Sequence, residues 1–542
     1  MSTAEDHDWV RRTAEVVLAR NPGQPVVCAS GLSPSGPIHL GNLREIMVPH
    51  LVTEEVRRLG GESVHLLFWD DYDRLRKIPA GTPESWAEHL GRPLVDVPDP
   101  SGEYPSWAEH FKAPLRDAMG LLGIDIHEIS QAEQYRTGRY ADRVIQALEA
   151  RQEIDRVLAK YRTAAPTLTE AEPDAADYYP YKVYCTNCGK DETAVTGYAD
   201  GVVGYRCRFC GHQGSVDVRT GGSGKLVWKV DWPMRWAEYG VTFEAAGVDH
   251  SSPGSSFDVG TDLVGSVFGG APPHYLGYSF VGTRGAAKMS SSAGGAPTPA
   301  HALRVFEAPI VRWLYARRRP SQAITIDFGP DAARTYDEWD QLKAKVAEDR
   351  AEPWEAAALD RSVRTSLGEL PQPRRTVSFR VLSAVYDITA GDPTQMTRIL
   401  RSMDRSSADL TLYDLAPRLQ LAANWVTEEV PADQRTRVRD EPDPALLAAL
   451  TPQQRQDIDV LLDRMAGQWN LEALTRLVYG APKLRFGLAL DDPPTAEVKA
   501  AQKEFFRVLY QLLVSAERGP RLPTLLLSLG QERLRRLLTG AG

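Results

Sequence analysis

Pro25-Val26-Val27-Cys28-Ala29-Ser30-Gly31 runs on through Leu32-Ser33-Pro34-Ser35-Gly36-Pro37-Ile38 into His39-Leu40-Gly41-Asn42, and this junction decides the fold. The apolar run reads as a buried strand that breaks at a loop of glycine, serine and proline, the residue types that terminate strands. From Gly41 to Arg58 the apolar spacing becomes helical, and Ser63 to Trp69 reads as a second strand ending in Asp70-Asp71-Tyr72-Asp73. Strand, loop, helix, strand is a βαβ unit. Its loop lies at the carboxyl end of the first strand, where open α/β sheets bind nucleotides.

Working outward, a short amphipathic helix precedes the unit around Trp9 to Leu18. Similar alternation resumes after about residue 225, with strands expected at Lys225 to Val230, Val241 to Ala246 and Tyr278 to Val281, and a short helix at Pro233 to Tyr239. The intervening stretch reads as an insertion. From about residue 300 helices joined by polar linkers take over; the charged, proline-punctuated segment Val430 to Pro444 reads as one such linker. Phe505, Phe506, Leu509, Leu512 and Leu513 mark the apolar face of a late helix.

The whole chain has 542 residues, enough for about three to five domains, each with its own core. It is 42% hydrophobic and 25% charged, with mean hydropathy −0.34, which fits neither a disordered chain nor a membrane bundle. The first twenty residues hold no apolar core of a secretory leader and no run of about 18 apolar residues occurs, so a cytoplasmic protein without membrane contact is expected. A net charge of −9 argues against a generally basic nucleic-acid coat, but leaves room for a local basic face.

Of five cysteines, four form the pairs Cys185-Thr186-Asn187-Cys188 and Cys207-Arg208-Phe209-Cys210, with residues 189–206 between them. Two such knuckles can direct four thiolates at one tetrahedral Zn²⁺, with Gly189 and Gly211 permitting the turns; two redox pairs or accidental spacing are the alternatives. Cys28, inside the first strand, reads as a core residue.

Two segments suit polyphosphate. Gly36 and Gly41 allow close backbone approach, His39 offers a ring donor, and the following helix presents free N–H groups. Gly285-Ala286-Ala287-Lys288-Met289-Ser290-Ser291-Ser292 sets one lysine among small hydroxyl-bearing residues. Either alone could be a solvated loop. Together and in this order, His-x-Gly-Asn and Lys-Met-Ser-x-Ser resemble the two signatures of class I aminoacyl-tRNA synthetases.

Further blocks narrow this to a resemblance to class I lysyl-tRNA synthetase: Ser30 to Gly36, Asp70 to Asp73 with Leu75-Arg76-Lys77, Ala108-Glu109-His110-Phe111, Val230-Asp231-Trp232-Pro233-Met234-Arg235-Trp236, Gly247-Val248-Asp249-His250, Pro272-Pro273 with Tyr278, and Gly519-Pro520-Arg521-Leu522. They extend from about residue 26 to 525. The resemblance implies a multidomain α/β and α protein. Residues 1–91 and 221–300 would be the halves of a Rossmann-type catalytic core, split by a zinc-bearing insertion over 92–220. A helical stem-contact region at 301–360 and an α-helical anticodon-binding domain at 361–542 would follow.

It implies ATP-dependent ligation of L-lysine to tRNA(Lys) through a lysyl-adenylate, for translation. Mg²⁺ would accompany ATP, activation is expected to depend on tRNA, and a monomer is expected. His39 and Lys288 would be catalytic; Gly36, His39, Gly41, Asn42, Lys288, Ser290 and Ser292 would contact ATP, and Asp258 its ribose. Gly31, Ser33, Trp232, His250 and Tyr278 would line the amino-acid pocket. The family often has Glu after the tyrosine where this chain has Ser279, and a lysine where it has Ala293. A paralogue with another amino acid or acceptor is the rival enzyme reading, and a non-catalytic tRNA-binding regulator the rival of another class. Read as residues alone, Trp232 and Trp236 could be core, His250 a satisfied buried histidine, and Asp70, Asp71 and Asp73 a loop that caps the next element. Arg317 to Arg319, Arg374-Arg375 and the arginines at 518, 521, 533, 535 and 536 are candidate tRNA contacts.

Overall fold

The computed structural model describes residues 8–79, 81–161, 178–250, 254–283, 295–403 and 408–540. The chain divides into two compact units. One comprises Met1–Leu303, Ala308–Asp327 and Lys345–Leu370, the other Arg304–Glu307, Phe328–Ala344 and Pro371–Gly542.

The first unit opens with helix α1 (Trp9–Arg20), strand β1 (Val26–Leu32), α2 (Leu40–Arg58) and β2 (Ser63–Trp69). It continues through α3 (Trp107–Leu121), β3 (His127–Ser130), α4 (Gln131–Arg136), α5 (Ala141–Glu149) and α6 (Arg151–Lys160). Five short strands follow: β4 (Tyr181–Val183), β5 (Thr193–Ala199), β6 (Val202–Cys207), β7 (Gln213–Asp217) and β8 (Gly224–Leu226). Then come α7 (Trp228–Tyr239), β9 (Phe243–Gly247), α8 (Ser256–Ser266) and β10 (His274–Tyr278).

The central sheet is parallel throughout, in the order β10-β9-β1-β2-β3. β1 pairs with β2 from Val26 opposite Ser63 to Leu32 opposite Trp69. Such strands are covered on both faces, which is why Val26, Cys28, Ala29, Leu66, Leu67 and Phe68 are all buried. From β1 the chain builds toward β2 and β3 on one side and later toward β9 and β10 on the other. The crevice at the carboxyl ends of β1 and β9 is therefore the topological switch point.

Three elements depart from the sequence reading. The strand expected at Tyr278 to Val281 instead ends at Tyr278, and Val281–Gly282 beyond it pairs with Ile324–Thr325 outside the central sheet. His127–Ser130 lies within the stretch read as insertion, yet it is the edge strand of the central sheet; an edge position lets His127 stay exposed and Glu128 half-exposed, so the apolar signature is missing. The strand expected at Lys225 to Val230 is only three residues long, pairs with β4 rather than joining the main sheet, and gives way at Trp228 to α7. Trp228, Trp232 and Trp236 recur every fourth residue, the spacing of one helix face, and this outweighs the local strand propensity.

Within the second unit every regular element among the described residues is helical, including Phe379–Thr389, Pro393–Arg401, Arg418–Glu428, Pro452–Arg464, Leu471–Leu484, Ala496–Val514, Leu522–Leu529 and Gln531–Thr539. Its internal anchor is Arg418, fully buried, which bonds Glu307 at 2.5 Å, both oxygens of Asp340 at 2.7 and 2.9 Å, and the Val377 carbonyl. The segment read as a linker is packed down: Thr436 donates to Asp387, and the Arg439 amide to the Leu513 carbonyl. No helix among the described residues is long and apolar enough to cross a membrane.

Candidate active site

The loop after β1 delivers His39 to the N-cap of α2. Its Nδ1 accepts the Asn42 amide at 3.2 Å while Asn42 Oδ1 accepts the His39 amide at 3.2 Å, a reciprocal cap. With Nδ1 an acceptor, a neutral His39 ring carries its proton on Nε2. Gly41 is required by this arrangement, because a Cβ there would stand 2.8 Å from His39 Cε1 and 2.9 Å from Nδ1. The Leu40 amide donates to the Pro297 carbonyl at 3.0 Å, so the chain just beyond residues 284–294 lies against the head of α2. Lys288, Ser290 and Ser292, and with them Arg284 and Ala293, lie outside the described residues.

Gly31 and Ser33 leave β1 at the same carboxyl edge, Gly31 opposite Phe68 and Ser33 exposed. Gly36 is buried in the loop between them and His39. Tyr278, the last residue of β10, is 7% exposed and donates its hydroxyl to the Glu45 carboxylate on α2. Arg44 is buried beside it and bonds the carbonyls of Ser279, Pro320 and Gln322 at 2.7, 2.9 and 3.0 Å. Burial lowers its pKa to about 10, so it stays charged at neutral pH and ties the first turns of α2 to the end of β10. Glu45 was not singled out in the sequence; its only signal is a carboxylate one turn into a helix whose other positions are largely apolar.

Trp232 on α7 centres a second cluster. Its ring stacks on Trp228 at 5.3 Å and meets His250 edge-on at 6.0 Å, bringing two of the sequence candidates together. Its Nε1 donates to Glu244 Oε1 at 2.9 Å, and Trp236 donates to the other oxygen of that carboxylate. Glu244 is buried on β9, and burial raises its pKa to about 7 despite the two indole donors. Asp258 sits in the first turn of α8 and accepts the Gly254 amide at 2.8 Å.

The acidic loop after β2 turns inward. Asp70 pairs with Arg235, Asp71 with Lys112 and Asp73 with Lys225, each at 2.6 Å. Asp71 also accepts the Ser130 hydroxyl and the Ala132 amide in the first turn of α4, the capping role that the sequence left open. Each of these carboxylates is therefore matched to a cation from another segment.

The four paired cysteines converge. Cys185 and Cys210 sulfurs are 3.7 Å apart, as are those of Cys188 and Cys207, and all four lie within 4.8 Å of one another. None forms a disulfide. Four thiolates about 2.3 Å from a tetrahedral zinc would be about 3.8 Å apart, so the set fits that ion with His212 outside it. The first knuckle precedes the antiparallel ribbon β5-β6-β7 and the second forms the turn between β6 and β7. Cys28 is fully buried, and burial pushes its thiol up to about 12.

The arginine clusters divide. Arg533 and Arg536 donate to the carbonyls of Arg439 and Asp440, and Arg535 to Leu462, so this run is spent on holding the last helix. Arg374 is exposed and lies over the Tyr413 ring at 4.8 Å, and Tyr413 is 69% exposed.

The chain's likeness to known proteins extends far beyond these residues. The family described as "tRNA synthetases class I (K)" matches residues 7–369. A lysine–tRNA ligase of Streptomyces coelicolor is 51% identical over 99% of each chain. Those of Thermococcus kodakarensis and Pyrococcus horikoshii are 34% and 32% identical, over 97% and 96% of this chain and 98% and 97% of theirs.

Proposed function

The chain belongs to the class I tRNA synthetases of the lysine type, and from that premise we propose that it activates L-lysine with ATP and transfers it to tRNA(Lys). The observation that carries the reading is that the likeness to lysine–tRNA ligases runs the full length of the chain. The lysine carboxylate attacks the α-phosphorus, the bond to the β-phosphate breaks, and pyrophosphate leaves. A ribose hydroxyl of the tRNA 3′-adenosine then attacks the acyl carbon and AMP departs.

His39 Nε2–H, held by its cap to Asn42, donates to the polyphosphate as charge spreads over its oxygens. The N–H groups at the head of α2, with Gly36 and Gly41 clearing the approach, favour the same anion. We assign Lys288, with Ser290 and Ser292, to the same phosphates from their Lys-Met-Ser-x-Ser motif. Asp258 takes the ribose. Mg²⁺ accompanies the ATP and offsets its charge.

For the amino acid we assign Gly31, Ser33, Trp232, His250 and Tyr278, and add Glu45. A lysine ammonium buried without a carboxylate would cost several kcal/mol. Asp70, Asp71 and Asp73 are already paired to internal cations. Glu45, bonded to Tyr278, supplies the anionic wall that Ser279 does not. The cysteine set holds a structural Zn²⁺, and the helical second unit reads the anticodon.

Lysine-dependent pyrophosphate exchange, with and without tRNA(Lys), tests the reaction; absence of exchange and of charging under both conditions would overturn it. Glu45→Gln should raise the KM for lysine about 10- to 100-fold, the worth of a charge-assisted hydrogen bond, and leave that for ATP within twofold. An unchanged lysine KM would remove Glu45 from the pocket.

A further inference from the structure

The two indoles that share Glu244 are unequal. Trp236 is 1% exposed and wedged against α8, where a Cβ on Gly260 would stand 2.7 Å from its ring. Trp232, the other donor, is the one whose ring meets His250. Packing alone leaves Trp232 underdetermined: Trp228, Trp236 and Phe257 surround it with ring contacts at 5.3, 5.0 and 6.4 Å that a flipped indole would largely retain. The hydrogen bond to Glu244 distinguishes the two orientations. In its ionised form the Glu244 carboxylate accepts two N–H donors on separate oxygens without bringing a donor of its own; an amide in its place would turn an NH₂ toward one indole. Trp236 thus fixes Glu244, and Glu244 fixes Trp232.

We infer that Glu244, which touches no substrate, is a positioning residue for the amino acid: it sets the face that Trp232 turns toward lysine. The inference rests on the lysine reading above, so wild-type lysine-dependent pyrophosphate exchange is measured first, and its absence would count against that reading instead. Two double variants of the full chain then isolate the bond. E244Q/W236F and E244L/W236F both lack the Trp236 donor and keep a buried side chain of similar size, but only the first keeps an acceptor for Trp232.

The expected result is a KM for lysine about tenfold higher in E244L/W236F than in E244Q/W236F, the effect of one buried donor left unpaired. ATP KM should agree within twofold between the two double variants. Quenching of tryptophan fluorescence by lysine should need correspondingly more lysine in the leucine variant. Circular dichroism establishes that both fold. If the leucine variant does not, E244Q alone carries the test, with a smaller rise confined to lysine. Equal lysine KM in the compared proteins, or parallel rises for lysine and ATP, would overturn the inference.

Discussion

Gly41→Ala separates the stability of the α2 cap from its use. The new Cβ would meet His39 Cε1 at 2.8 Å and Nδ1 at 2.9 Å, against an ordinary carbon contact of about 3.5–4.0 Å, so the ring must retreat by roughly 0.8 Å. It cannot do so freely, because Nδ1 caps the Asn42 amide. Losing the cap costs about 1 kcal/mol and overpacking about 1–3 kcal/mol, while alanine in a helix returns up to about 1 kcal/mol relative to glycine. The net destabilisation is therefore about 1–3 kcal/mol, small for a chain of this size. The displacement acts on the reaction more strongly, since a shift near 1 Å in a positioned group can cost about 100-fold. Lysine-dependent pyrophosphate exchange should fall about 100-fold while thermal unfolding moves by only a few degrees. A rate within threefold of wild type would refute the argument. So would a further loss in H39A/G41A relative to H39A, because without the imidazole the new methyl has nothing in this cap to strike.

Other outcomes follow from the same geometry. Chelation, or Cys188→Ser, should release one zinc per chain and make β5-β6-β7 labile to limited proteolysis, since apparent binding energies near 10–16 kcal/mol are known for structural zinc; a chain with no bound zinc by elemental analysis would remove the site. Glu244 has its folded pKa raised from 4.5 to about 7, so the stability gained by its neutral form is complete below pH 4.5 and lost as pH rises through 7, about 3 kcal/mol in all; E244Q should lack this slope in melts between pH 5 and 8. Arg418→Met should destabilise the second unit by about 3–5 kcal/mol in denaturant unfolding by leaving the buried Glu307 without its ion pair and Asp340 with Lys343 alone, and a loss under 1 kcal/mol would contradict the anchor.

Legibility followed the distance over which each feature is assembled. The β1-loop-α2 junction could be read because strand, breaker and helix are contiguous, and His39 with Asn42 completes its cap within a single turn. The cysteine pairs were legible for a related reason: two short knuckles point four sulfurs at one place once any hairpin joins them. The Trp228 face showed the right period but was read through the local propensity of Lys225 to Val230, so the helix came out too short and too late. Glu45 was invisible because its partner, Tyr278, lies at the end of another strand, and only the parallel order β10-β9-β1 brings those ends together. The acidic loop shows the opposite limit of local pattern. Three aspartates within four residues invite a ligand, yet each is matched to a cation from α3, β8 or α7, segments whose approach no local pattern encodes. Charge density along the chain therefore marks where electrostatic work is done without saying on what. The partners decide that, and where they are internal lysines and arginines the anionic wall proposed for the pocket falls to a residue without acidic neighbours, Glu45.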